Sequence, residues 1–289
     1  MRKVYINYAD SRFKKQQRFA LAAAKHLGRF DEIVGFTRSN IDDLFYSRYR
    51  HILEQKRGGG YWLWKPYFIQ RTLSRLSDGD YLFYSDAGAF FLRRVDILIS
   101  AVSKYNQDIM GFELPLIEKQ WTKSALFANM ECEAEVYRES NQLLASFMLI
   151  RKTPMSEEFF DTFLALACEE SNLLDEHDVG RRGADYPISH RHDQSIFSLL
   201  YKKYGLRPFR DPSQLGIYPT GYAGCTANDI IVSRVTLLGN GRQFRVNKYS
   251  DQYGMVLYHN KNNPPILSLI KYCVKVVLSG LGIYRGVVR

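Results

Sequence analysis

Residues 3–37 read KVYINYADSRFKKQQRFALAAAKHLGRFDEIVGFT, and this stretch decides the fold class. KVYINY at 3–8 alternates and is rich in β-forming residues, which predicts an opening strand. Ser11 is placed to cap a helix over 12–27, whose apolar side carries Phe13, Phe19, Ala20, Ala23 and Leu27. EIVGFT at 32–37 then predicts a second strand. A β-α-β opening of this length points to an α/β protein with a mostly parallel sheet, flanked by helices.

The same reading continues outward. A polar stretch rich in Tyr and Arg (38–57) ends in Gly58-Gly59-Gly60, a loop that needs unusual backbone freedom. Helices are expected at 64–77 and 95–105, and buried strands at 81–85 and 109–114. The segment 121–143 reads as mainly helical. LASFMLIRK (144–152) is a buried strand, and 154–170 is an amphipathic helix. Residues 172–191 read as a mobile surface loop, followed by a helix at 192–204. The expected division is one domain over 1–263 and a separate tail over 264–289.

The 289 residues are 46% hydrophobic, enough for a sizeable core, and 24% charged, which argues against bulk disorder. The net charge of +10 favours anionic partners without choosing among them. Cys132, Cys168, Cys225 and Cys273 lack metal-ligand spacing and are too sparse for a disulfide scaffold, so reduced thiols are expected. The opening MRKVYINYAD has no apolar core of a signal peptide, and no stretch reaches ~18 uncharged apolar residues. Both observations predict a protein kept in the cytoplasm.

The chemistry concentrates in 58–90, GGGYWLWKPYFIQRTLSRLSDGDYLFYSDAGAFF. A buried strand (Tyr81 to Tyr84) delivers Asp86 at its C-terminal end, the edge where open α/β sheets bind ligands. Ala87 and Gly88 leave little bulk beside that carboxylate. It is placed to meet a divalent cation bridging two phosphates, with Ser85 as an extra oxygen. Asp193 opens a helix, where backbone N–H groups and the helix dipole favour an ionised carboxylate, and Gln194 supplies both donor and acceptor. Lys65, at a helix start after Trp62 and Trp64, is a cation for a diphosphate. Trp62 and Trp64 read as packing residues.

This segment resembles the GT-A glycosyltransferases of bacterial surface polysaccharide clusters (O-antigen and capsule). In those, a Gly-rich turn, a YWxWKPY run, a helix and GDxxxYxDxG precede the sugar-nucleotide site. Here the pattern is Gly60, Tyr61, Trp62, Trp64, Lys65, Pro66 and Tyr67, then Gly79, Asp80, Tyr84, Asp86 and Gly88. HRHDQSIFSLLYKKYG (190–205) and VLYHNKNN (256–263) resemble later parts of the same enzymes.

The resemblance implies a hexosyltransferase using a nucleotide-diphosphate sugar, a UDP-sugar in the first instance, with retention of configuration. It implies Asp193 and Gln194 as catalytic residues, and Tyr8, Asp10, Lys65, Asp86 and Gly88 around the donor, with Asp10 on the ribose. Asp86 and His259 would hold Mn²⁺ or Mg²⁺. Gly88 stands where the family has its second acidic residue, so strict metal dependence stays open. Arg181, Arg182 and Arg191 are expected to close over the donor.

The tail PPILSLIKYCVKVVLSGLGIYRGVVR sets Ser268, Lys271, Lys275 and Ser279 on one helical stripe amid apolar residues. It is too short and too charged to span a bilayer, and suits an interface with anionic headgroups. A lipid-linked or polysaccharide acceptor at the inner face of the cytoplasmic membrane follows as the expected partner, and nucleic acid is not expected. Two alternatives stand beside this reading: a basic nucleic-acid-binding protein, and a non-catalytic scaffold of a polysaccharide assembly complex.

Overall fold

The computed structural model describes residues 1–175, 188–223, 232–239, 241–251, 253–260 and 265–280. Arg181, Arg182, Cys225 and the end of the tail lie outside the described residues. Its centre is a mixed sheet. Strands β1 (Lys3–Tyr8), β2 (Glu32–Phe36), β3 (Tyr81–Ser85), β4 (Ala89–Phe91), β5 (Ile109–Ile117), β6 (Asn141–Arg151), β7 (Phe209–Arg210), β8 (Thr236–Leu237), β9 (Gln243–Phe244) and β10 (Leu257–His259) follow in chain order. The sheet runs β2-β1-β3-β6-β5-β9-β8, with β7 also on β5, while β10 pairs with β4 apart from it. Strands β1, β2, β3, β5, β7 and β8 point one way; β6 and β9 point the other. The α/β class with a mostly parallel sheet is thus the architecture the chain forms.

Both faces of the sheet are covered, which is why its strands are nearly continuous runs of apolar residues. Alternation sends Val4, Ile6, Tyr8, Leu82, Tyr84, Met148 and Ile150 to one face, against helices Trp64–Leu73, Pro154–Cys168 and Asp193–Lys203. Tyr5, Phe83, Phe147 and Leu149 go to the other, against Phe30, Phe91, Val95 and Leu98. Each fully buried Phe among these contributes about 1.5–3 kcal/mol.

Several expectations need correction. Asp10, not Ser11, caps the first turn, accepting from the Arg12 N–H at 2.9 Å. Residues 121–143 are not mainly helical: helices Ser124–Asn129 and Glu135–Arg138 are short, and β6 starts at Asn141. Its opening Asn141 and Gln142 are buried polar residues. Hydrogen bonds to Glu113 (2.9 Å) and Glu118 (2.9 Å) satisfy them, so the polar pattern hid a strand. The expected loop at 172–191 begins inside a helix, Glu170–Leu173.

The tail forms helix Pro265–Gly280. Leu269 and Tyr272 pack on Phe90 and Tyr258. Ile266, Leu267, Ile270, Val274 and Val277 remain exposed, with Lys271 and Lys275 exposed beside them. Among the described residues, no helix is long and apolar enough to cross a membrane.

Candidate functional site

The C-terminal ends of β1 and β3 lie side by side, because Ile6 pairs with Tyr84 in parallel register. The residues that follow these strands, Ala9-Asp10 and Asp86-Ala87-Gly88, face one cleft of about 220 Å³. Tyr8, Trp62 and Trp64 line the same cleft. A second depression of about 680 Å³ adjoins it, sharing Tyr8, Ala9, Asp10 and Arg12.

The cleft floor is aromatic. Trp64 is buried and stacks on Tyr8 with ring centroids 3.9 Å apart. Its indole N–H donates to the Gly58 carbonyl at 3.0 Å. This contact is made possible by a left-handed turn: Gly58, Gly59, Gly60, Tyr61 and Trp62 all have positive φ. Gly60 has φ +105°, and a Cβ there would stand 2.8 Å from the Leu53 backbone. Gly60→Ala is expected to cost about 2–3 kcal/mol through backbone strain, read as a lower urea midpoint. A midpoint equal to wild type would show that the Leu53 segment yields freely.

Behind this floor lies a charged centre. Tyr84 precedes Asp86 by two residues, so both side chains fall on one face of the strand. The Tyr84 hydroxyl donates to Asp86 Oδ1 at 2.6 Å. Lys65, 3% exposed, enters from its helix. Its Nζ stands 2.6 Å from Asp193 Oδ2 and 3.6 Å from Asp86 Oδ1, and donates to the Ala145 carbonyl at 3.0 Å. Burial alone would lower the Lys65 pKa, but the two carboxylates outweigh it and hold the ammonium charged. Burial raises the Asp193 carboxyl to about 6; Lys65 opposes the shift and Asp86 adds to it. The Tyr84 hydroxyl is pushed well above its ordinary value, first by burial and then by Asp86.

The centre differs from the sequence reading in three ways. Asp193 opens its helix as expected, but burial and the Lys65 ammonium, beyond the helix N–H groups, set the state of its carboxylate. Asp193 is the first residue of its helix, buried and ion-paired, with His192 before it at φ +51°. Lys65 reaches the site, but its ammonium is already engaged within the protein by Asp193 and the Ala145 carbonyl, with Asp86 at ion-pair distance. Ser85 faces the opposite side of the sheet, 2.6 Å from the Tyr5 hydroxyl, and offers the cleft no oxygen.

Gln194 is buried beside Asp193. Its amide oxygen accepts from the Ala145 N–H at 3.3 Å, and its amide nitrogen donates to Gln142 at 2.8 Å. Asp10 lines the cleft, and its carboxylate is shared with Arg12 at 2.7 Å. Arg191 does not line the cleft; its guanidinium lies over the Trp121 ring. Tyr84, Gln142 and the Ala145 carbonyl were not assigned from sequence. The i, i+2 spacing of Tyr84 and Asp86 was a readable signal; Gln142 gave none.

His259 lies opposite Ala89 in the β4–β10 pair, and the next N–H, of Asn260, donates to the Gly88 carbonyl at 2.8 Å. The Asp86–Gly88 turn and His259 are therefore neighbours. Among the described residues, no group of three His, Cys, Asp or Glu could hold a metal by itself. One carboxylate and one imidazole still suit a Mg²⁺ or Mn²⁺ whose remaining ligands are phosphate oxygens and water.

No family model and no curated protein matches the sequence. Solved structures align with it along most of its length. Mouse xyloside xylosyltransferase 1 aligns over 91% of this chain and 98% of its own, at 9% identity and TM-score 0.49. The galactosyltransferase LgtC, solved with donor and acceptor sugar analogues, aligns over 90% and 87%, at 14% identity and TM-score 0.46. Streptococcus pneumoniae glycosyltransferase GlyE aligns over 91% of this chain and 55% of its own, at 14% identity and TM-score 0.43. Identities this low leave the chemistry to be argued from the site itself.

Proposed function

We propose that the chain is a GT-A glycosyltransferase that moves a hexose from a nucleoside-diphosphate sugar, a UDP-sugar in the first instance, to an acceptor hydroxyl. The observation that carries this reading is Asp86, delivered by β3 into an aromatic-lined cleft at the sheet edge, with Tyr84 and Lys65 fixing its carboxylate. The flat face of Trp64 and the open end of β1 suit a nucleobase and ribose. Tyr8 and Asp10 border that place, with Asp10 the candidate for the ribose hydroxyls.

In the transfer, the bond from the anomeric carbon to the diphosphate oxygen breaks and its electron pair leaves with the diphosphate. The acceptor oxygen bonds to the anomeric carbon, and its proton passes to the departing diphosphate. Asp86 and His259 would hold a divalent cation, which supplies charge stabilisation to the leaving group. Gly88 leaves room for the phosphates to approach. Lys65 acts through Asp86 and Asp193, holding both in place.

Among the described residues, the carboxylates lining the cleft are Asp10, tied to Arg12, and Asp86, bonded to Tyr84. The likeness of the Asp193-Gln194 helix start to that of retaining enzymes is what supports retention of configuration. Asp193 and Gln194, buried next to the cleft, are the residues this reading makes catalytic. The deciding experiment is a screen of nucleotide sugars for transfer and hydrolysis, with and without Mn²⁺, comparing wild type and Asp86→Ala.

The tail beyond 263 is proposed as a membrane-facing element. Its exposed apolar stripe, bordered by Lys271 and Lys275, suits a helix lying in an anionic headgroup layer and an acceptor carried on lipid. Vesicles rich in phosphatidylglycerol should retain the full chain on sedimentation, and phosphatidylcholine vesicles should retain about tenfold less. Equal retention by both would remove the electrostatic part of this assignment.

A further inference from the structure

Glu118 follows β5 directly and is fully buried, away from the cleft. Four side chains donate to its carboxylate. Oε1 accepts from the Thr122 hydroxyl at 2.5 Å and from the Gln142 amide nitrogen at 2.9 Å. Oε2 accepts from the Ser198 hydroxyl and from the Lys202 ammonium, the latter at 2.5 Å. A carboxylate paired with an ammonium can only accept, so Gln142 must turn its NH2 end toward Glu118. The neighbours agree. The Thr122 hydroxyl gives its hydrogen to Glu118, and the Ser195 hydroxyl gives its own to the Trp121 carbonyl at 2.9 Å. Both oxygens are left to receive from Gln142, at 3.4 Å each.

The direction then passes along the chain of amides. With its nitrogen toward Glu118, Gln142 points its oxygen at the helix Asp193–Lys203 and accepts from the Gln194 nitrogen at 2.8 Å. Gln194 therefore points its own oxygen at Ala145 and accepts from that N–H at 3.3 Å. Ala145 is also the residue whose carbonyl takes the Lys65 ammonium, at 3.0 Å. The amide oxygen of Gln194 thus lies on the side of the charged centre. Turning Gln194 alone would set oxygen against oxygen at Gln142 and NH2 against the Ala145 N–H. Glu118, Gln142 and Ser195 are fully buried, so water does not soften such a mismatch.

We infer that Glu118 is a positioning residue: acting through Gln142, it fixes the Gln194 carboxamide with its oxygen, not its nitrogen, toward the Lys65–Asp193 centre. The orientation stands on the hydrogen bonds alone; its effect on turnover rests on the glycosyltransferase reading. An amide oxygen carries partial negative charge and favours the positive charge that builds at the anomeric carbon as the diphosphate leaves, whereas an NH2 group opposes it.

The test has two readouts on the full chain: side-chain amide NMR, and hydrolysis of UDP-glucose and UDP-galactose. In wild type the Gln194 NH2 signals, assigned by their loss in Gln194→Glu, should exchange slowly with water, because Gln142 holds them. Glu118→Gln puts a donor beside the acceptor and frees both carboxamides to turn. The Gln194 signals should then lose protection, and kcat should fall on the order of a hundredfold while the donor KM changes by less than about twofold. Glu118→Gln/Gln142→Glu restores the direction, because the carboxylate moved to position 142 again only accepts. It should regain the protected signals and a kcat within about fivefold of wild type, even at a lowered melting temperature. Glu118→Gln/Lys202→Met removes the unpaired ammonium without restoring the direction, and should recover the melting temperature but not the rate. Rates that simply follow melting temperature across these proteins show a packing role and overturn the inference. So does a Glu118→Gln chain with wild-type exchange and kcat. A wild type that hydrolyses neither nucleotide sugar, while amide exchange changes as expected, supports the positioning by Glu118 and counts against the glycosyltransferase reading alone.

Discussion

Asp86→Ala is expected to reduce sugar transfer by about a thousandfold or more, because it removes the carboxylate that would hold a cation against the departing diphosphate. The fold should survive. The side chain sits at the cleft surface, and its neighbour Lys65 keeps Asp193 at 2.6 Å as a counter-ion. Asp86→Asn separates charge from shape. It still accepts from the Tyr84 hydroxyl, yet carries no charge, so it should fall nearly as far as alanine. Initial rates at saturating donor, with thermal melts beside them, measure both. Activity of Asp86→Ala within tenfold of wild type would mean that the reacting diphosphate is stabilised elsewhere.

Lys65→Met has the larger expected effect on stability. It leaves Asp193 buried without its Lys65 counter-charge, and breaking a buried pair in this way costs about 3–5 kcal/mol at neutral pH. The cost depends on pH. The folded Asp193 carboxyl, raised to about 6, holds its proton more tightly than the unfolded chain does. Its contribution to stability is therefore complete below the ordinary value of 3.8 and is lost as pH rises through about 6. Lys65 is the attraction that limits this rise. Without it the carboxyl moves higher still, and the penalty of Lys65→Met grows from pH 4.5 to pH 8. Urea denaturation at the two pH values reads the difference. The double variant Lys65→Met/Asp193→Leu should recover most of the stability while remaining inactive. A single variant that loses under about 1 kcal/mol at pH 8 contradicts a buried pair.

What could be read in advance was local. The β-α-β opening, the strand ending at Asp86 and the backbone freedom at Gly58–Gly60 each announce themselves within a dozen residues. The partners of those residues did not. Lys65 looked like a helix-start cation for phosphate, and nothing near it indicates that Asp193, far along the chain, takes its charge. Asn141 and Gln142 looked too polar for a buried strand, because their hydrogen-bond partners come from other elements. Arg191 seemed to belong to a surface loop until Trp121 supplied the ring beneath it. Sequence patterns report faces and turns; the pairing of buried polar groups is decided by tertiary contact alone.

The burial of Lys65 also governs how the protein can be handled. Reductive methylation and acylating esters attack neutral amines that water can reach. The Lys65 ammonium is enclosed and kept protonated by its two acidic neighbours. A preparation with its surface amines alkylated to promote lattice growth, or tagged with a dye, therefore keeps this centre chemically intact.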